Sequence, residues 1–184
     1  MEIRKPIPVN ISLLIGAALV VLGVALRLVP HVPNFAPIGA IALFGGAILG
    51  WRYALWLPLS AMMLSDLIIG FYPGIEFTWA SFLMIAVVGL ALKNKGLLTK
   101  IGIGGLSSAT IFFVVSNFGV WVSSGMYTHT LTGFINCYVM ALPFFRATLM
   151  SDLFYGAVLF GLQAVAVYVL EKRLRSSSRF PLVQ

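Results

Sequence analysis

The sequence predicts an all-α polytopic membrane protein of six transmembrane helices, and three observations predict it. Of its 184 residues 60% are hydrophobic and only 9% are charged. A water-soluble domain of this size cannot hide that much apolar surface. Apolar runs of roughly the 20 residues needed to cross a hydrocarbon core recur along the whole chain. The basic residues sit in short flanks between those runs, and they all fall on one side only if the chain crosses six times. No polar linker interrupts the pattern, so residues 1–184 read as a single integral membrane domain. The net charge of +7 would suggest nucleic acid in a soluble protein. Its placement in interhelical flanks points instead to topology and lipid headgroups, so the lipid bilayer is the expected partner and nucleic acid is not.

The first helix spans Ile11 to about Val29, with Pro30 and Pro33 ending it. Met1–Lys5 before an apolar run looks superficially like a signal peptide, but no clear small-residue cleavage site follows, so the helix reads as retained. Ser12, Gly16, Gly23 and Arg27 form one stripe at helical spacing, small enough to let another helix approach closely. A rigid loop, Pro30–Pro37, holds His31 and Asn34.

The second run, Ile38–Gly50, is rich in glycine and alanine and short for a spanning helix. The third runs from about Ala54 to Ile69, with Pro58 in its first turns and Asp66 one turn from its end. Pro73-Gly74 marks a turn before the fourth helix, about Thr78 to Leu92. The fifth extends from about Ile101 to Trp121, where Thr110, Asn117 and Trp121 are expected to point into the bundle. Leu131–Leu142 is too short to cross alone and reads as a partial or interfacial helix, ended before Pro143. A long helix, about Phe144 to Leu170, completes the six crossings.

With six crossings, Arg4, Lys5, Arg52, Lys93, Lys95, Lys100 and the tail (Lys172, Arg173, Arg175, Arg179) share one side. The positive-inside bias makes that side cytoplasmic and places both termini there, in a cell inner (cytoplasmic) membrane.

The polar residues then collect at the outer ends of the helices. Arg27, Asp66 and Asn117 lie near the outer ends of helices one, three and five, and Arg146 and Asp152 in the outer part of helix six. An ion in hydrocarbon costs at least a few kcal/mol, so each carboxylate is expected to meet a basic partner or a wet cavity. Asp152 shares a helix face with Tyr155, whereas Arg146 lies about 120° away and reads as an interfacial side chain. The candidate ligand-binding set is Asp66, Asp152, Arg27, Asn117, Tyr155 and Trp79; no catalytic residue and no metal ligand is assigned. His31, His129 and the single cysteine, Cys137, lack any metal-binding spacing, and the cofactor is left open. The segments Met63–Gly70 (MLSDLIIG) and Leu149–Gly156 (LMSDLFYG) look alike. Neither a parallel nor an inverted repeat places both aspartates at the same face, so coincidence or convergent helix packing accounts for the match.

The stretches FAPIGAIALFGG (Phe35–Gly46), PLSAMMLSDLIIGF (Pro58–Phe71), SNFGVW (Ser116–Trp121) and ALPFFRATLMSDLFY (Ala141–Tyr155) resemble an uncharacterised family of small bacterial integral membrane proteins. That family is similar to the substrate-binding S components of energy-coupling factor transporters. The resemblance implies an S-component-like bundle with an outward-opening pocket for a small micronutrient, a vitamin or a metal-containing cofactor. It also implies an energy-coupling membrane subunit as partner. The chain departs from the shared-module S components here, because Ser12, Gly16 and Ala17–Ala25 supply small residues without a clean Ala-rich repeat. The alternative is a structural or assembly membrane protein whose charges pin helices and which has no small-molecule substrate. An enzyme acting on a lipid-soluble substrate is the third reading, since aspartates and histidines on one side could do acid–base work.

Overall fold

The computed structural model describes residues 8–177. Those residues form an all-α bundle without strands: α1 (Val9–Leu28), α2 (Ile38–Phe44) continued by a π-helical segment (Gly45–Leu49), α3 (Trp51–Ile69), α4 (Ile75–Ala91), α5 (Leu97–Ser123) and α6 (Leu131–Ser177). Four of these helices, α1, α3, α5 and α6, are long and apolar enough to cross a membrane; Ile38–Leu49 and Ile75–Ala91 are shorter apolar helices. Arg4, Lys5 and Arg179 lie outside the described residues, as does the side chain of Arg175.

The bundle is built around α2. Every residue from Pro37 to Ala47 is buried, and α3, α4, α5 and α6 all pack on it. A helix this short, about 18 Å with its π turn, is covered by protein on all sides, so its ends need not reach across hydrocarbon unaided. Glycines permit the closest contact. A Cβ on Gly46 would sit 2.8 Å from the Leu90 amide nitrogen and collide with the Ala86 carbonyl, and one on Gly89 would strike the Leu43 backbone. Helices α2 and α4 therefore touch backbone to backbone. At the junction to α3, Gly50 adopts φ 95°, a left-handed conformation that lets two helices follow with no intervening loop.

Helix α1 packs by one stripe against α3. Its buried residues are Ser12, Gly16, Leu19 and Gly23, and Gly16 meets Leu57 and Tyr53. The expected small-residue stripe is thus the one that docks, while Leu13, Leu14 and Val21 face outward.

Three expectations from the sequence are corrected. Leu131–Leu142 is not a separate partial helix: it is the start of α6, which runs 47 residues through Pro143 without a break. At about 70 Å that helix exceeds the thickness of a bilayer. An aromatic ladder holds its first turns onto α5: Trp121–Phe134, Phe134–Tyr138, Phe113–Tyr138 and Phe113–Phe145 centroids lie 4.7–5.5 Å apart. Those contacts bracket Pro143 on both sides, so packing outweighs the single hydrogen bond that proline removes. Second, α3 begins at Trp51, which places Pro58 in the helix interior, buried, rather than in the first turns. Third, Thr110 does not point into the bundle; it is exposed and donates to its own helix at Leu106 O. The buried face of α5 is Gly104, Gly105, Ser108, Ala109 and Gly119.

Candidate functional site

At the end of the bundle that carries the α1–α2 and α3–α4 connections lies a cavity of about 350 Å³. Its walls come from α2, α4, α5 and α6, from Arg27 of α1 and Met62 of α3, and from both connections, which contribute His31, Asn34, Tyr72 and Pro73. Phe82, Phe112, Phe113, Phe144 and Phe145 supply most of its apolar wall. Asn117, Thr148 and Asp152 supply polar groups.

Two Ser-Asp pairs, one on α3 and one on α6, flank this region and have opposite surroundings. On α3, Asp66 is fully buried and paired: Arg27 Nη1 lies 2.5 Å from its Oδ1, and Trp79 Nε1 donates to its Oδ2 at 2.8 Å. Arg27 Nη1 also donates to Ser65 Oγ at 2.5 Å, and Ser65 returns its proton to the carbonyls of Ala61 and Met62 at 2.7 and 3.0 Å. The network closes on itself. Arg27 reaches it from the last turn of α1, where its guanidinium also compensates the helix C-terminus.

On α6, Ser151 Oγ donates to Ala36 O at 3.0 Å, tying α6 to the segment that leads into α2. Asp152 is 2% exposed and pairs with no basic side chain among the described residues. Among the described residues its Oδ2 makes no hydrogen bond, while the Ser108 hydroxyl and the Ala40 backbone stand beside the carboxyl. The carboxyl and the Ser108 hydroxyl press on Gly39 of α2, where a Cβ would lie 2.6 Å from Ser108 Oγ and collide with Asp152 Oδ1. Only glycine leaves room for the carboxylate there. Beyond α3, burial raises the Tyr72 phenol above its ordinary value; Thr78 acts against that rise, Asp66 with it, and Arg27 against it.

Residues 8–176 match the family described as "Family of unknown function (DUF6580)". The chain belongs to that family. No curated protein and no solved structure matches it.

Of the residues singled out in this DUF6580 chain, Arg27, Asn117 and Asp152 line the cavity. Asp66 and Trp79 stand one layer behind Arg27, bonded to each other. Tyr155 is drawn away into an aromatic cluster, its ring 5.7 Å from Phe35 and 5.1 Å from Phe154. Asn117 Nδ2 is spent on its own helix, at Phe113 O. Arg146, six residues before Asp152, is exposed. His129 braces the α5–α6 connection through Trp121 O at 3.1 Å, and the buried Cys137 thiol donates to Asn117 O at 3.4 Å. No cluster of three or more His, Cys, Asp or Glu side chains forms among the described residues.

Ser108 and Gly39, which shape the surroundings of Asp152, were not among the predicted residues. The signal for Ser108 was present in the run Gly104, Gly105, Ser108, Ala109, whose small residues at helical spacing mark the packed face of α5. Nothing local distinguishes Gly39 from Gly45 and Gly46 of the π-helical segment that continues α2.

Proposed function

We propose that this chain is a membrane uptake protein that binds a small water-soluble micronutrient in the cavity between α2, α4, α5 and α6, as its resemblance to S components implies. One observation carries the reading: a 2%-exposed carboxylate, Asp152, with an unpartnered oxygen, on the wall of a cavity of about 350 Å³. Burying a charge without a partner costs several kcal/mol, and a protein that only fastened helices would gain nothing from it. The volume falls at the lower end of small-molecule sites, which span roughly 300–1,000 Å³. The largely apolar wall with a few convergent polar groups is the usual composition of such sites.

In this reading all six helical units cross the bilayer, with the short α2 and α4 shielded by their neighbours. The cavity end faces outward. Arg52 at the start of α3 and Lys93 and Lys95 after α4 lie at the opposite ends of their helices from Asp66 and Trp79, which fits a cytoplasmic location for the basic end. Both termini are then cytoplasmic. In a Cys137→Ser background, single cysteines at positions 95 and 176 should resist a membrane-impermeant maleimide in sealed cells and label only after permeabilisation. External labelling at either position defeats this topology. The energy-coupling subunit stays part of the proposal, with α1 as the peripheral helix available to it.

The closed Arg27–Asp66–Trp79 network favours a second reading, a structural or assembly protein without a substrate. Native mass spectrometry of protein released gently from its membrane separates the two. A stoichiometric water-soluble ligand is the expected result; phospholipid alone would establish the second reading.

A further inference from the structure

The charges around the cavity do not balance. Arg27 is the cation on its wall, and it is already neutralised by Asp66 at 2.5 Å. The second carboxylate, Asp152, has no such counterpart among the described residues. With Asp152 ionised, Arg27, Asp66 and Asp152 together carry one negative charge more than positive. His31, also on the wall, is exposed and engages the Val32 carbonyl at 2.7 Å, and no ion pair joins it to Asp152 among the described residues. The excess sits in a defined niche: among the described residues Asp152 Oδ2 lacks a partner, Ser108 stands beside the carboxyl, and Gly39 leaves the space they occupy. Phe112, Phe113, Phe144 and Phe145 line the same cavity as Asp152, and their ring type has π-faces that attract cations.

We infer that the cavity takes a small organic cation, a protonated amine or cationic nitrogen heterocycle, whose charge is held by Asp152 and whose apolar body lies among the phenylalanines. An ammonium N–H donates to Asp152 Oδ2, while Ser108 Oγ, buried behind the wall, donates to the carboxylate and holds it in place. An anionic solute would face the unbalanced carboxylate at short range, and a neutral one would leave it uncompensated. This assignment rests on the reading of the cavity as a substrate site, and it specifies the charge of what enters.

The test uses the full chain in lipid nanodiscs and three probes of nearly equal size: phenethylammonium, 2-phenylethanol and phenylacetate. Phenethylammonium should raise the melting temperature at millimolar concentration, with the other two giving no shift. Asp152→Asn should weaken phenethylammonium roughly tenfold to a hundredfold, the range for a lost charge-assisted hydrogen bond. It should also raise the ligand-free melting temperature, because an unpaired buried charge is gone. Ser108→Ala, which removes one support of the carboxylate and no charge, should keep the fold and weaken the probe only about threefold to tenfold. A shift that survives in both variants would overturn the assignment. Stabilisation by phenylacetate or 2-phenylethanol alone would overturn the cation class while leaving the cavity a binding site. No shift with any probe, together with phospholipid as the only co-purified species, would remove both the class and the uptake reading.

Discussion

Arg27→Met is expected to destabilise the protein by about 3–5 kcal/mol, the cost of leaving a buried carboxylate without its partner. Asp66 is fully buried, its Oδ1 faces Arg27, and the only other donor to its carboxylate among the described residues is the Trp79 indole on Oδ2. Methionine keeps much of the length of the arginine stem and removes the charge. The reverse substitution should cost less. In Asp66→Asn, Arg27 keeps its bond to Ser65 Oγ and stands at 16% exposure on the cavity wall, where it can turn toward water. A loss of about 1–2 kcal/mol is expected, with the Trp79 bond retained by the amide oxygen. The double variant should recover most of what Arg27→Met loses, because no uncompensated charge remains. Equilibrium unfolding of the four proteins forms the cycle. Equal costs for the two single variants, or simple additivity in the double, would show that the pair is not the fastening element the geometry indicates.

The layering of these charges was legible in the sequence, and their division of labour was not. Arg27 ends a stripe of small residues, and Asp66 lies one turn from the end of an apolar helix. Together with the crossing pattern, that was enough to expect them in one layer, where they pair. Trp79 is thirteen residues from Asp66, and only the α3–α4 turn brings its indole onto Oδ2. The two Ser-Asp-Leu segments show the limit most clearly. Their local sequences are nearly the same and both aspartates are buried. One meets Arg27 because α1 packs on α3, whereas the other meets Gly39 and Ser108 because α2 and α5 pack on α6. Side-chain partners of that kind are set by which helices become neighbours, information that a single segment does not hold. Pro143 was misleading for a related reason. In isolation proline ends a helix, but here aromatic contacts on either side keep α6 continuous. Tyr155 shares the bundle-facing side of α6 with Asp152, yet the rings of Phe35 and Phe154 hold it away from the cavity.

The contact that positions the whole site is the one between α2 and α4, and Gly46→Val tests it. The substitution is expected to cost about 3 kcal/mol, at the upper end for overpacking, and to reduce binding at the cavity as well. A Cβ at this position meets backbone: the Ala86 carbonyl, the Leu90 nitrogen at 2.8 Å and the Gly89 carbonyl carbon at 3.0 Å. Side chains could turn aside, but helix backbone cannot, so α2 and α4 must separate. Gly89 faces Leu43 in the same close approach and offers no space to absorb the change. Because α2 also carries Gly39, displacing it disturbs the niche of Asp152 and Ser108, one helix away from any added methyl group. Gly102→Ala is the matched control. Its Cβ would meet nothing within 4 Å, and alanine in a helix interior is favoured over glycine by up to about 1 kcal/mol. Thermal unfolding should therefore rank Gly102→Ala at or above wild type and Gly46→Val well below it. A Gly46→Val protein of wild-type stability would mean that α2 and α4 do not touch through their backbones, and α2 would no longer be the fixed centre around which the cavity is built.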